Sequence, residues 1–454
     1  MGSVTPTSEE LGELTYQLDR ANVFHSWSAQ GALNPLPIAG ASGSEVWDYS
    51  GKRYLDFSCQ LIYTNIGHGH PKVVAAIKKQ AETLATIAPA HANLARGKAA
   101  ELILKHANGL HPGDKFFHKV FFTNGGADAN ENAIRMARLT TGRDTVLSTY
   151  RSYHGSTGSA ICATGDFRRV PNQFARGHTH FFGPYPYRSE FWSTSPEQET
   201  ERALHHLRRV IECEGPTSIA AVILETIPGT AGVIVPPPGW LSGVRRLCDE
   251  FGIVMICDEV MAGFGRTGDW FAWQNKELNP EGVTPDLITF AKGVNGGYVP
   301  AGGVIISQAI SHSFDERVYL GGLTYSGHPL AMAAIVATIE AQEEERILEH
   351  ATSIGKDVLG PGLRKLAEKH RIIGDVRGLG VFWALDLVSD PVTKKPVAGD
   401  VIAKIKGECQ KRGLMSFFVE NRVHVVPPAN ISKEDAEKAL VIYDEALSAA
   451  DTSL

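Results

Sequence analysis

Between residues 119 and 307 the sequence repeats one pattern, in which a short apolar run is followed by a glycine-rich turn and then by a helix-length stretch. The runs are nearly continuous in apolar side chains, which is typical of parallel strands covered on both faces. We predict strands at 120–123, 144–149, 219–225, 253–258, 287–292 and 303–307. With crossover helices near 127–140, 198–212 and 239–251, the repeat predicts an α/β fold with a mainly parallel sheet.

The pattern changes at both ends of this repeat. Residues 45–57 alternate around a Ser-Gly turn and predict a β-hairpin. Residues 346–454 read as helices and short strands, which indicates a smaller α+β domain. We therefore predict three parts: an N-terminal segment, 1–65, that joins the small domain; a large domain, 66–330; and the C-terminal small domain, 331–454.

Composition excludes several classes of partner. The chain is 43% hydrophobic and 21% charged with a net charge of −6, which argues against nucleic acid or an anionic membrane. No apolar run approaches the ~18 residues of a membrane span. The first residues do not read as a signal peptide, and the six cysteines show no Cys-x-x-Cys spacing. We expect a cytoplasmic protein with reduced thiols.

Two charged residues directly follow apolar runs of buried-strand type. Asp258 follows 253–256, and Lys292 follows 287–290. A desolvated amine loses its proton more readily and becomes nucleophilic, whereas a buried carboxylate needs a positive partner. A lysine that forms an imine and an aspartate that holds a proton on a ring nitrogen are the two protein groups that pyridoxal phosphate requires.

Two further glycine-containing turns could complete such a site. Gly125, Gly126 and Ala127 lie between a strand and a helix, where backbone N–H groups can bind phosphate, although simple strand-to-helix turns share this pattern. Tyr153 could stack on an aromatic ring, but a loop tyrosine is more often simply packed. His154 fits a proton shuttle and a structural histidine equally well.

Other motifs point to chemistry that the context does not support. Residues 263–268 match Gly-x-Gly-x-x-Gly, but no strand with a ribose-binding acid follows, which disfavours a nicotinamide site. No P-loop motif occurs. The histidine pairs at 68/70 and 205/206 lack a second cluster at zinc-like spacing, so no metal site is expected.

Taken in order, the motifs cover nearly the whole chain: Leu55-Asp56-Phe57, the Asn-Ile-Gly-His-Gly-His-Pro segment at 65–71, the phosphate-type turn at 125–131, Tyr153-His154-Gly155, Glu225, Asp258-Glu259-Val260, 263–268, Ala291-Lys292-Gly293, Thr324 with Gly327-His328-Pro329, and Arg377-Gly378-Leu379-Gly380. This series resembles the class III (subgroup II) aminotransferases of pyridoxal phosphate (PLP) fold type I, the aspartate aminotransferase-like fold. The resemblance implies that fold, PLP as the cofactor, and a homodimer with shared active sites.

The resemblance also implies roles for individual residues. Lys292 would bind the cofactor covalently and carry the proton, and Asp258 would pair with the pyridinium nitrogen. The other cofactor contacts implied are Val260 and Tyr153 on the two ring faces, Gly125, Gly126 and Ala127 at the phosphate, His154 and Glu225 beside the ring, and Thr324 reaching the phosphate of the neighbouring subunit.

The sequence departs from the family pattern in the phosphate turn and in the substrate pocket. The turn lacks the usual serine hydroxyl, so phosphate binding would rest on backbone donors. Phe417 stands where many relatives carry a mobile arginine, and Arg422 is a possible substitute. The pocket would be lined by Leu61 and Ile62, together with Tyr63, Tyr153 and Phe417.

The predicted function is that of an ω-aminotransferase, which moves an amino group from an amine or ω-amino acid to a keto acid, with pyruvate favoured. A 2-oxoglutarate-dependent enzyme of the GABA or ornithine type, an aminomutase and a decarboxylase share the same two key residues and stay open. A nicotinamide oxidoreductase and a non-catalytic PLP-binding regulatory domain are the alternatives from other classes.

Overall fold

The computed structural model describes residues 7–111 and 113–451. Its strands are β1 (Ile38–Ser42), β2 (Glu45–Asp48), β3 (Arg53–Phe57), β4 (Phe117–Thr123), β5 (Thr145–Thr149), β6 (His178–Phe181), β7 (Ile219–Glu225), β8 (Val254–Asp258), β9 (Leu287–Phe290), β10 (Gly302–Ser307), β11 (Ile373–Leu379), β12 (Phe382–Asp390), β13 (Lys395–Pro396), β14 (Leu414–Val419) and β15 (Arg422–Val425).

The α-helices alternate with these strands in the middle of the chain and cluster near its end. They are α1 (Ser8–Asn22), α2 (Cys59–Ile62), α3 (Pro71–Thr83), α4 (Leu94–Ala107), α5 (Gly126–Thr141), α6 (Gly158–Ala163), α7 (Pro196–Glu214), α8 (Trp240–Phe251), α9 (Gln308–His312), α10 (Pro329–Glu344), α11 (Ile347–Ser353), α12 (Gly360–Lys369), α13 (Gly399–Lys411) and α14 (Lys433–Asp451). A π-helical stretch, Ile354–Leu359, joins α11 to α12. No helix in the described parts of the chain is both long and apolar enough to cross a membrane.

The larger domain is built on a seven-stranded sheet with the order β4-β10-β9-β8-β7-β5-β6. Strands β9, β8, β7, β5 and β6 pair in parallel, and β10 runs antiparallel to both of its neighbours. The central strands are buried along their whole length because helices cover both faces of the sheet, as the continuous apolar runs indicate. The mainly parallel sheet is confirmed.

Strand β4 begins three residues before its predicted start, at Phe117, and three other strand ends shift by one residue. Two further differences concern β6 and β9. Strand β6 is absent from them because its sequence, His-Thr-His-Phe, is polar and it pairs only with β5 at the sheet edge. The predicted strand at 287–292 is two residues too long. Strand β9 ends at Phe290, and Lys292 begins a short 3-10 helix with a φ of 47°.

A second sheet joins the two ends of the chain. Its order is β1-β2-β3-β14-β15-β12-β11, with β13 added at β12. Strand β3 pairs in parallel with β14, so that Leu55 lies opposite Leu414. Leu55 and Phe57 share one hydrophobic core with the C-terminal helices. This sheet supports an N-terminal segment that joins the small domain, and the boundaries at 65 and 330 stay predictions.

Candidate active site

The carboxyl ends of the parallel strands open into a cleft of about 440 Å³. Because neighbouring parallel strands end at the same edge, residues far apart in sequence meet there. Glu225 and Asp258 are register partners at the ends of β7 and β8, and Asp258 is also paired with Thr289 of β9. Lys292 follows β9 directly. The predicted convergence of Lys292 with Asp258 is therefore present, since both line this cleft.

Lys292 is half-buried at the start of its short 3-10 helix. Its φ of 47° lies in the left-handed region, which residues other than glycine seldom adopt and which is enriched at functional sites. Desolvation lowers the pKa of the amine to about 8, while the charges of Glu225 and Asp258 oppose this shift. An amine with this pKa is substantially neutral near pH 8 and can act as a nucleophile.

Asp258 is buried and accepts three hydrogen bonds. Its Oδ2 accepts from Asn130 Nδ2 at 2.8 Å and lies 2.8 Å from His154 Nδ1, and its Oδ1 accepts from the Val260 N–H at 3.0 Å. His154 Nδ1 therefore carries the hydrogen, because a carboxylate can only accept. Donors on both oxygens hold the carboxylate in one orientation, as a fixed negative charge at the cleft wall.

Glu225 is the second buried carboxyl group of the cleft. Its two oxygens accept from the Tyr153 N–H at 2.9 Å and the Gly229 N–H at 2.8 Å. Burial raises its pKa to about 7, and the negative charge of Asp258 adds to the shift, whereas the backbone donors oppose it. Glu225 thus connects two loops of the cleft and titrates near neutral pH.

The start of α5 forms an anion-binding end to the cleft. No side chain caps this helix, so the first backbone N–H groups after Gly125 are available to a ligand. Gly126 packs so closely that an added Cβ would lie 2.9 Å from Val260 Cγ1. At Gly155, where φ is 135°, an added Cβ would lie 2.6 Å from the Cβ of Ala127. The backbone around this helix start is therefore closely packed, with no room for a side chain at Gly126 or Gly155.

The cleft walls can hold a flat ring. Val260 and Tyr153 both line it, and the Tyr153 hydroxyl bonds Ser156 at 2.8 Å. The guanidinium carbon of Arg168 lies 3.9 Å from the centre of the Tyr153 ring, and Trp27 meets that ring edge-on. A lysine amine, a carboxylate, an aliphatic and an aromatic lining side chain and an uncapped helix start therefore fit PLP.

Four of the residues predicted to bind substrate lie outside the set that lines the cleft: Leu61, Ile62, Phe417 and Arg422. Ile62 is buried in the core of the large domain, and Leu61 is 43% exposed. Phe417 packs against His424, and Arg422 pairs with Glu420. Thr324 is also exposed and is not among the residues that line this cleft. Tyr63, by contrast, lines the cleft. Apart from Tyr63 and Tyr153, these substrate and phosphate contacts stay predictions.

Sequence reasoning missed Asn130, Thr289 and Arg168. Asn130 donates to Asp258, and Thr289 donates to Asn130. Asn130 falls inside the 125–131 motif, but nothing in that motif indicates its contact with Asp258, and Thr289 and Arg168 lie outside the motifs. These contacts arise only when distant segments of the chain come together. Nothing in the sequence around Arg168 indicated that it lies near the cleft. In the structure, its positive charge contributes to lowering the pKa of Lys292.

The Gly-x-Gly-x-x-Gly motif at 263–268 serves as packing and not as a dinucleotide loop. No α-helix begins directly after it: the next elements are the short 3-10 helix Ala272–Gln274 and strand β9. Gly265 and Gly268 pack against Leu348 and Thr352 of α11, where an added Cβ at Gly268 would lie 2.2 Å from the Thr352 hydroxyl. Arg266 is fully buried and donates to backbone carbonyl groups. The nicotinamide alternative is thus disfavoured by the fold.

Comparison with known proteins identifies the family. The family "Aminotransferase class-III" matches residues 27–447. Taurine–pyruvate aminotransferase of Bilophila wadsworthia is 32% identical, covering 96% of this chain and 97% of that protein. A 5-aminovalerate aminotransferase of Pseudomonas aeruginosa is 35% identical over 91% of this chain and 94% of its own length.

A solved structure agrees in fold over the whole chain. The taurine:2-oxoglutarate aminotransferase from Bifidobacterium kashiwanohense, in complex with PLP and glutamate, superposes with a TM-score of 0.93 at 42% identity and covers 100% of both chains. The sequence resemblance, the α/β fold of PLP type I and the cofactor are thereby confirmed. The chain belongs to the class III aminotransferases and is an aminotransferase that uses pyridoxal 5′-phosphate.

Proposed function

We propose that this enzyme transfers the amino group of a small ω-amino acid to a 2-oxo acid. The observation that carries the proposal is the convergence of Lys292 and Asp258 in one cleft beside an uncapped helix start. The substrate class is supported by three relatives whose names give taurine or 5-aminovalerate as the donor. Each of these donors carries an amine at one end and an acid at the other.

The two key residues divide the work of such a transfer. PLP, when bound, supplies a protonated ring that absorbs the electrons left when a proton leaves the amine-bearing carbon. We propose that Asp258 holds the proton on the ring nitrogen, because its fixed negative charge lies at the cleft wall. Lys292 Nζ would bind the cofactor and move the proton, since its lowered pKa lets it accept and return one near neutral pH.

The other cofactor residues would hold the ring and the phosphate. Gly125, Gly126 and Ala127 offer backbone donors at the start of α5, and Val260 and Tyr153 offer the two ring faces. His154 would support Asp258 through its Nδ1–H. Glu225 would shape the loop that carries Tyr153.

Pyruvate is the acceptor that the sequence favours, and one relative is named for a taurine–pyruvate reaction. A second acceptor, 2-oxoglutarate, is favoured by the solved relative of 42% identity, whose complex contains glutamate. Both acceptors use the same two key residues, so the motifs do not separate them.

Half-reactions test the donor and the acceptor separately. The PLP enzyme is mixed with taurine, β-alanine, 5-aminovalerate or butylamine, and loss of the visible cofactor band is followed. Pyruvate or 2-oxoglutarate is then added, and recovery of the band identifies the acceptor. We expect the three acids to react faster than butylamine. A faster reaction with butylamine, or no reaction with any acid, would contradict the donor class.

We also propose a homodimer in which Thr324 of one subunit reaches the phosphate site of the other. Thr324 is exposed and does not line the cleft of its own chain, which supports this arrangement. Thr324→Asp would repel the phosphate, and Lys292→Ala would remove the cofactor link, so each variant alone should be inactive. Mixed and refolded together, they should regain activity, because one site of each hybrid dimer is intact. No recovery, despite hybrid dimers, would exclude a shared site.

Finally, we propose that the protein works in the cytoplasm with reduced thiols. All six cysteines are free, and five of them are buried. Fractionation of the source cells, followed by immunodetection, tests this location, and recovery in an extracellular fraction would refute it.

A further inference from the structure

Asn130 occupies a buried position where three parts of the cofactor cleft meet. It lies on α5, about one turn after the uncapped start at Gly126. Its side chain points to the carboxylate of Asp258 and to the loop that contains Tyr153 and His154. The helix start, the loop and the carboxylate are the parts that we assign to the phosphate, the ring face and the ring nitrogen.

All the hydrogen-bonding capacity of the Asn130 amide nitrogen is used inside this cleft. Nδ2 carries two hydrogens, and it donates to the carbonyl oxygen of His154 at 2.7 Å and to Asp258 Oδ2 at 2.8 Å. Its Oδ1 accepts from the hydroxyl of Thr289 at 2.7 Å. Asn130, Asp258, His154 and Thr289 are all buried, so bulk water does not compete for these bonds.

The orientation of the amide follows from its partners. If the oxygen and nitrogen were exchanged, the amide oxygen would face the His154 carbonyl and the Asp258 carboxylate, which are both acceptors. The arrangement with Nδ2 toward these two groups is therefore the one that satisfies every atom. Thr289 reinforces it by donating to Oδ1 from β9, the strand that leads to Lys292.

We propose that Asn130 is a positioning residue that fixes the Asp258 carboxylate relative to the phosphate-binding start of its own helix, with Thr289 locking the amide in place. One side chain then sets the spacing between the two ends of the cofactor. This inference rests on the PLP site and not on the identity of the donor or acceptor. Asn130 lies within the 125–131 motif, but the resemblance implies no role for it, and Thr289 lies outside the motifs.

Asn130→Leu tests the proposal, because leucine has the size and branching of asparagine but no polar atoms. Losing a hydrogen bond to a charged group in a buried site weakens binding by about 10- to 100-fold. We expect the dissociation constant of PLP from the apoenzyme, measured by titration, to rise by about this factor. The pH midpoint of the visible cofactor band should also move, because Asp258 loses one of its three hydrogen-bond donors.

Asn132→Leu is the matched control. Asn132 is another buried asparagine of α5, but its amide donates to the carbonyl of Asp128 at 2.8 Å and its Oδ1 accepts from the Tyr319 hydroxyl at 2.7 Å. This change removes the same polar group from the same helix without touching Asp258. PLP affinity and the pH midpoint of the band should stay close to wild type.

Thr289→Val tests the same proposal through a second residue, in case Asn130→Leu does not fold. Valine matches the shape of threonine, so only the donor to Asn130 Oδ1 is lost, and PLP affinity should fall by about 3- to 10-fold. Thr289→Ser, which keeps the hydroxyl, should restore it.

Two results would overturn the proposal. One is a Thr289→Val or Asn130→Leu enzyme that binds PLP within about twofold of wild type with an unchanged band. The other is an equal loss in Asn130→Leu and Asn132→Leu, since that would indicate general damage to the helix.

Discussion

Asp258→Asn removes the charge of Asp258 and leaves its shape almost unchanged. In the wild-type structure Oδ2 accepts from Asn130 and His154 at 2.8 Å, and Oδ1 accepts from the Val260 N–H at 3.0 Å. An asparagine has one oxygen and one NH2 group. It can serve the two donors at Oδ2 only by turning its own NH2 group toward the Val260 N–H, where two donors then face each other.

The expected magnitude follows from these contacts. Removing the carboxylate partner of a buried cation costs about 3–5 kcal/mol. For a group that stabilises the charge developing on the ring, this corresponds to a loss of about 10²- to 10⁴-fold in the rate of the amine half-reaction. PLP should still attach to the variant, because Lys292 and the start of α5 are unchanged.

Stopped-flow measurement of the half-reaction, with a donor in excess, tests this expectation. Asp269→Asn is the control, because Asp269 is a partly buried carboxylate that accepts from Asn275 and lies outside the cleft. The control should react at nearly the wild-type rate. An Asp258→Asn enzyme that reacts within about threefold of wild type would refute the role assigned to Asp258.

Three further predictions concern pH and close packing. The pKa of Glu225 is raised to about 7, so the folded protein favours the protonated carboxyl group. The resulting stabilisation is fully present below about pH 4.5 and is lost as the pH rises through 7. Glu225→Gln should flatten this decline in the thermal unfolding midpoint of the apoenzyme, and an unchanged profile would contradict the shift. The rate at which PLP attaches to the apoenzyme should rise with pH and level off above about 8, the pKa of Lys292, and a rise that continues to about pH 10.5 would indicate an unshifted lysine. Gly126→Ala and Gly155→Ala should each destabilise the site by about 1–3 kcal/mol. The added Cβ would lie 2.9 Å from Val260 Cγ1 in the first variant and 2.6 Å from the Ala127 Cβ in the second. Wild-type affinity for PLP in both variants would contradict this prediction.

The sequence predicted the buried parallel strands and the residues that directly follow them most accurately. The prediction of a strand at 219–225 agrees in both bounds with β7, because every residue of that strand is buried and apolar until Glu225. The meeting of Asp258 and Lys292 followed from one rule, since parallel strands end at the same edge of a sheet. The cofactor was predictable from those two side chains together with the motif order.

The remaining features depend on geometry that a single sequence does not encode locally. Asn130 and Thr289 are 159 positions apart, and the 125–131 motif that contains Asn130 indicates a phosphate site but not this hydrogen bond. The position of Ile62 could not be predicted for a different reason. An apolar residue can line a pocket or fill the core, and the sequence alone does not distinguish the two. Positive φ angles at Gln60 and Ile62 turn this segment so that Ile62 enters the core, whereas Leu61 is exposed.

Chemical trapping followed by peptide mass mapping tests the central claim most directly. The PLP-loaded enzyme is reduced with borohydride, digested, and searched for the peptide that carries the cofactor mass, with Lys292→Ala treated in parallel. We predict that the label lies on Lys292 and that the variant carries none. Label on another lysine of the wild-type enzyme, or equal labelling of the Lys292→Ala variant, would contradict the assignment of this cleft as the active site.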